Sequence, residues 1–493
     1  MLETEDCLNL LLSDGETRRP VLAGGLPREA AERAPKPKKS ARREPSPTLE
    51  RLGADPNLLP LQRWGVVAPE GPAGDRMLEA IASLVRLREE EQGAPATVYR
   101  VPAAMDAGAA ARWIDEVHRS EDVDDHERPR YLLLLGDPRH VSIELQHALA
   151  ARSFVGRLHI THGITGDHAD HTGDADLTGY AAYAEKVVRF ARAPLPEPEP
   201  DLLFFVAPDG SVATQVGESL LIRPSLEAAT RRLDPKLPRG RLPAASARTI
   251  EASTVSALLA AGAGARPSVL LSVSHGLGCK AYGARQRRQG ALLLDRASTE
   301  ILDAERMLGE CFLPGGMWFC VACFGAGTPS ASVYRTWLEQ LAANGEYGSP
   351  PDEVLAYLPA PGEPPFIAAL PQAALQNPEG PLAVIGHLDL AWTYAFSGGR
   401  HGLESRKSRI FPAIEEMVCG SRAGVALEVL TAAYRDANSE LLAGYQLEKD
   451  AELDGAPDPT DHAARGHLWM LRNDLRGYVL LGDPAARLPL AAR

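Results

Sequence analysis

Two apolar runs in this chain stop abruptly at side chains that can do chemistry. VLLSVSHGLG halts at His275 and MWFCVACFGAG at Cys323, each with glycine close behind, and the two residues lie 48 positions apart. A histidine placed beside a cysteine takes the thiol proton or holds the thiolate as an ion pair, and the thiolate attacks a carbonyl. Glycine after such a residue permits a tight backbone turn. The N–H groups of Gly276 and Cys323 can then aim at the developing oxyanion, a contribution on the order of 3 kcal/mol per donor. Taken singly, a histidine after a strand is an ordinary capped residue and a buried cysteine an ordinary small hydrophobe. Two of them at strand ends, where parallel sheets bind their ligands, point to nucleophilic catalysis with Cys323 as nucleophile and His275 as base.

Other candidates compete less well. Cys320 and Cys323 form a CxxC pair, but residues three apart in a strand face opposite sides, so neither a disulfide nor a shared metal is expected and Cys320 reads as core. Cys279 sits in LGCKAYG, which no strand launches. The stretch HITHGITGDHADHTGDAD, 159–176, gathers His159, His162, His168 and His171 with Asp167, Asp170, Asp174 and Asp176. Its spacing matches no zinc or calcium template, so no metal is assigned. HLDLAW, after the apolar strand 381–388, offers His387, Asp389 and Trp392. There an acid can pair with a basic substrate side chain and an indole can stack on a guanidinium. No phosphate-cradling or dinucleotide motif is present and the Ser of SVSHG is not in a G-x-S-x-G elbow, which argues against nucleotide-dependent and serine-hydrolase chemistry.

The elements that must hold these residues read as an α/β fold. Residues 1–60 mix charge with Pro and Ala, and RAPKPKKSARR carries Arg33, Lys36, Lys38, Lys39, Arg42 and Arg43 without an acid. A flexible arm is expected there. Residues 61–195 alternate helices with apolar strands, including YLLLLGDP at 131–138, the pattern of a mostly parallel sheet. The run PLPEPEP, 194–200, marks a boundary, and residues 201–493 form a second subdomain that holds both reactive strand ends. YVLLGDP, 478–484, echoes YLLLLGDP, which suggests related strand ends on the sheet. Over 493 residues, a net charge of −13 argues against nucleic-acid binding. Six unevenly spaced cysteines do not read as a disulfide framework. The first residues carry neither a signal-peptide pattern nor a membrane span, so a cytoplasmic protein is expected.

Lined up in order, these segments resemble the gingipain-like branch of the caspase-hemoglobinase cysteine peptidases along most of residues 65–490. The separation of His275 and Cys323 is close to the roughly 50 residues that part the same pair in caspases. YLLLLGDP resembles the strand of the family's first subdomain, SVSHG its histidine segment and FCVACFGAG its cysteine segment. GPLAVIGHLDLAWTYAF is similar to the strand whose Trp lines the specificity pocket, and YVLLGDPAARL to the closing strand. The resemblance implies a caspase-hemoglobinase-like sheet flanked by helices, His275 as base, Cys323 as nucleophile, Gly276 as oxyanion donor and Trp392 as a pocket wall. It implies cleavage of protein or peptide substrates through an acyl-enzyme without a cofactor. An acid selecting a basic residue is expected at Asp389, with Asp167 and Asp170 behind it. Relatives inside bacteria act in signalling or antiphage defence after an upstream trigger, which makes an activating protease an expected partner. A catalytically silent scaffold with the same fold is the alternative.

Overall fold

The computed structural model describes residues 7–33, 54–161, 177–193, 195–237, 240–297, 299–345, 347–398 and 403–491. Apart from several two-residue strands, its strands in chain order start with β1 (Leu12–Asp14), β2 (Trp64–Pro69), β3 (Thr97–Val101), β4 (Tyr131–Leu135), β5 (Phe154–Leu158), β6 (Asp201–Val206) and β7 (Ser246–Thr249). They continue with β8 (Ser268–Val273), β9 (His275–Gly278), β10 (Leu292–Leu293), β11 (Ile301–Leu302), β12 (Met317–Val321), β13 (Ala383–His387) and β14 (Tyr478–Gly482). Ten of them form one sheet in the order β3-β2-β4-β5-β14-β13-β12-β8-β6-β7. Every neighbouring pair is parallel except β13 with β14. The sheet is therefore mostly parallel, built from two halves that run in opposite directions.

Helices cover both faces, which is why the central strands are buried along their whole length and read as unbroken apolar runs. Alternate residues of one strand enter different cores. Val269, Leu271, Met317, Phe319 and Val321 pack with the helices Phe411–Val418 and Ala423–Asp454. Leu270, Trp318, Cys320 and Ala322 pack on the other side with the helices Thr178–Arg192 and Ala369–Gln376. The repeated G-D-P strand ends also have a physical reason: Gly136 and Gly482 stand at φ 99° and 102°, a region that side chains disfavour. Beyond the second of these turns, Asp483 accepts the Trp64 indole N–H at 2.9 Å and pairs with the buried Arg88. The end of the chain is thereby fastened to the start of β2.

The expected subdomains share this single sheet. Strands β2 to β5 make up one end of it, and the last strand, β14, joins them to the rest. The flexible arm expected over residues 1–60 is corrected for residues 7–33. Leu8, Leu10, Leu11 and Leu12 are fully buried, β1 pairs with β9, and Ala30 O accepts the Trp337 indole N–H at 2.6 Å. Four leucines in the run LNLLL bury enough apolar surface to offset the ordering of a segment whose average composition is polar. Most of the basic run, 34–43, lies outside the described residues. Among those described, no helix is long and apolar enough to cross a membrane.

Candidate active site

β8 and β12 are adjacent and parallel, with Val273 opposite Val321. Two residues beyond that pair, each chain places its reactive side chain, so His275 and Cys323 emerge at the same edge from neighbouring strands. The turn after Cys323 is tight. Phe324 adopts φ 56°, a left-handed conformation for a bulky residue, which is backbone strain of the kind held at functional sites. The Phe324 N–H donates to Asp389 O at 2.9 Å, and Ala326 N–H to His387 O, so the loop after β13 fixes the turn. At 276 glycine is obligatory: a Cβ there would collide with the backbone carbonyl of Cys323.

Both reactive groups are sealed from solvent. The Cys323 thiol receives the Ala391 N–H at 3.2 Å and faces Ala391 O at 3.6 Å. Burial pushes its pKa well up, although the Ala391 hydrogen bond opposes that, and the nearby Asp389 and Asp474 carboxyls push it further. His275 places Nε2 2.8 Å from Ser211 Oγ and 3.7 Å from Asp209 Oδ2. Burial lowers its pKa and Asp209 counteracts the fall. The other ring nitrogen, Nδ1, is buried without a hydrogen bond, and no hydrogen bond joins the His275 and Cys323 side chains.

Asp209 and Ser211 were not singled out from the sequence. They follow β6, the strand next to β8, in the segment VAPDGS. Asp209 Oδ1 accepts the Ser211 N–H at 2.8 Å and the Thr214 hydroxyl at 2.7 Å. Ser211 also caps the helix Val212–Gly217. An acid just past an apolar strand was the available signal, but which strand it would neighbour is a matter of sheet order.

The two expected backbone donors do converge on one oxygen, and that oxygen belongs to the chain itself. Leu11 O accepts the Gly276 N–H at 2.9 Å and the Cys323 N–H at 3.0 Å. On one side of this carbonyl, Leu11 N–H donates to Ala391 O at 3.2 Å and Leu10 pairs antiparallel with Trp392. On the other, Leu12–Asp14 runs parallel to Gly276–Gly278.

The expected substrate-binding residues are placed differently. Asp389 is buried, and its carboxyl oxygens accept the Leu390 N–H at 2.8 Å and the Val333 N–H at 3.0 Å. Burial raises it to about 6. Each oxygen accepts a backbone N–H, so the expected selector of basic residues is tied to its own loops in this structure. Trp392 is fully buried and meets Tyr334 and Trp337 edge-on, so no face is open for stacking. Asp167 and Asp170, with the rest of 162–176, lie outside the described residues. Cys320 is on the opposite face of the sheet from Cys323's packing partners, with burial pushing it up to about 12. Among the described residues, no group of three or more His, Cys, Asp or Glu side chains could hold a metal ion.

No family model matches the chain. None of the curated proteins matches either. Among solved structures, a crystal structure of the Arg-specific cysteine proteinase gingipain R is similar at TM-score 0.48 and 12% identity, over 87% of this chain and 78% of that one. So distant a likeness carries no residue across.

Proposed function

We propose that the protein is a cysteine peptidase acting on protein chains in extended form. His275 takes the Cys323 proton and the sulfur adds to the scissile carbonyl. The oxyanion rests on the N–H groups of Gly276 and Cys323, and Asp209 steadies the imidazolium. The C–N bond then breaks as His275 returns the proton to the leaving amine. Water activated by the same imidazole hydrolyses the thioester. One observation carries this reading: two backbone donors, at 2.9 and 3.0 Å, meet on a single peptide carbonyl beside the only cysteine at that strand end. A triggered cut of a partner protein, with an upstream protease as the trigger, is the finer form of the same reading.

The test is hydrolysis of fluorogenic peptides ending in Leu, Arg, Lys or Asp. It is run on the intact chain, on Cys323→Ala, and on Leu12→Asp, in which a carboxylate replaces a buried leucine beside the site. Cleavage that vanishes in Cys323→Ala and in Leu12→Asp/Cys323→Ala supports the reading; none in any chain, or cleavage that persists without Cys323, refutes it. The complete burial of both reactive groups favours a second reading, a silent scaffold. It predicts that Cys323 stays unreactive toward iodoacetamide in every folded variant.

A further inference from the structure

The segment 8–14 does more than fill space. Its Leu11 carbonyl occupies the point where the two amide donors converge, and its backbone is hydrogen-bonded on both sides of that carbonyl. Beyond the carbonyl the chain stays close to β9: Gly15 N–H donates to Gly278 O at 2.6 Å, and a Cβ on Gly15 would lie 2.6 Å from Cys279 Sγ. Asp14 anchors that end by accepting the Tyr357 hydroxyl at 2.5 Å. Ahead of the carbonyl, Leu8, Leu10 and Leu11 enter the same core as Tyr334, Trp337 and Trp392. An extended strand with main-chain bonds along it and side chains in pockets is how peptides are recognised at sheet edges.

We propose that residues 8–14 are a peptide carried within the chain and seated in the register of a substrate, with Leu11 at the position whose carbonyl is attacked. The site therefore takes an aliphatic residue there, and an outside protein enters only after this segment leaves. The identity of the attacked position rests on the peptidase reading; the occupancy does not. Chemistry around the segment agrees with an aliphatic occupant. Asp389, the nearby acid, is turned to backbone amides, and Leu11 itself is buried in an apolar core. The segment also sits unreacted for a visible reason: the thiol is bonded to Ala391 and not to His275. Trp392, paired with Leu10, keeps its Nε1 buried without a partner.

The test reads access to Cys323 without requiring catalysis. Iodoacetamide labelling of Cys323 is followed by mass spectrometry in the intact chain, in Leu12→Asp and in the milder Leu10→Ala, with thermal melts to show that each is folded. Labelling is expected to be at least about tenfold faster in the variants, since an occluded site pays for the fraction of time it is open. A synthetic peptide of residues 7–15 is expected to slow it again, and the same peptide with Leu11→Asp is not. Should Leu12→Asp fail to fold, Leu10→Ala and the added peptide decide alone. Equal labelling of intact chain and folded variants, or indifference to the peptide, overturns the proposal. Faster labelling without peptide cleavage keeps the occupancy and refutes the peptidase reading. Cleavage by the intact chain as fast as by the variants does the reverse. In the opened variants, Leu-ended peptides are expected to be cut faster than Arg-ended ones, and the opposite order overturns the aliphatic assignment.

Discussion

Asp209→Asn is the substitution that most directly weighs the proposed chemistry, because the side chain touches no part of the substrate position. Its Oδ2 lies 3.7 Å from His275 Nε2, with both groups buried. Two unit charges at that separation interact by about 4 kcal/mol at an effective dielectric constant of about 20. The imidazolium forms only once His275 has taken the thiol proton, so that energy belongs to the reacting state and not to the resting one. Each 1.36 kcal/mol is tenfold in rate, so removing the charge should lower kcat/KM by about a thousandfold. Asparagine keeps an oxygen in place of Oδ1, the atom that receives the Ser211 N–H and Thr214 hydroxyl, so the loop should keep its shape. The measurement is kcat and KM for a Leu-ended peptide in the Leu12→Asp chain with and without Asp209→Asn, across pH, with a melt on each. The loss should fall on kcat with KM nearly unchanged. A folded Asp209→Asn enzyme within about threefold of its parent would refute the electrostatic role.

Gly276→Ala should abolish activity in the opened chain, because the new Cβ meets the Cys323 carbonyl and drives the two donors apart; removing one such donor alone costs about a hundredfold in kcat, and a smaller loss would contradict the assignment. Cys320→Ala should leave labelling of Cys323 unchanged while lowering stability by about 1–2 kcal/mol in urea titrations, since Cys320 is core on the other face of the sheet; a changed labelling rate would revive a CxxC role. Burial holds His387 down to about 4 from an ordinary 6.5. Between those values the unfolded chain carries the extra proton, so stability is whole above about 6.5 and falls as pH drops, by about 3 kcal/mol from this residue at pH 4. Urea titrations at pH 7 and 4.5 check this, with a smaller loss expected in His387→Gln and an equal loss counting against it.

Much of the scaffold was legible because strands buried on both faces cannot hide. YLLLL, MWFCV and YVLLG are apolar throughout and SVLLSV is interrupted only by serine, and each is a strand of the sheet. Placing His275 and Cys323 at their ends required only that strands stop where glycine and polar residues begin. Whether the two strands would be neighbours, and which third residue would stand behind the histidine, depended on sheet order, and no local pattern encodes that. The surroundings of Asp389 were hidden for a related reason. An acid beside a presumed cleft is free or taken according to where a distant loop sends its amides, here at Val333. LNLLL misled because its apolar residues were averaged with the charged stretch that follows, although the core responds to four buried leucines and not to a mean.

The leucine segment also accounts for the apparent conflict between a catalytic constellation and its chemistry. A neutral thiol and a neutral imidazole are what a dry site favours, since burial raises one pKa and lowers the other. With Leu11 in place, water is excluded and the thiol's hydrogen bonds run to the Ala391 backbone, so Asp209 at the imidazole and the Ala391 N–H at the sulfur must favour the ion pair against the burial of both groups. Removing the segment would admit solvent to both groups at once. Access and reactivity would then rise together from one event, and a displaced variant should gain more in Cys323 alkylation at pH 7 than steric opening alone provides. The discriminating comparison is with the rate at pH 10, where iodoacetamide meets a more fully ionised thiol. If opening acts on ionisation as well as on access, the ratio of variant to intact rates should shrink as pH rises; a ratio constant with pH would reduce the segment to a steric plug.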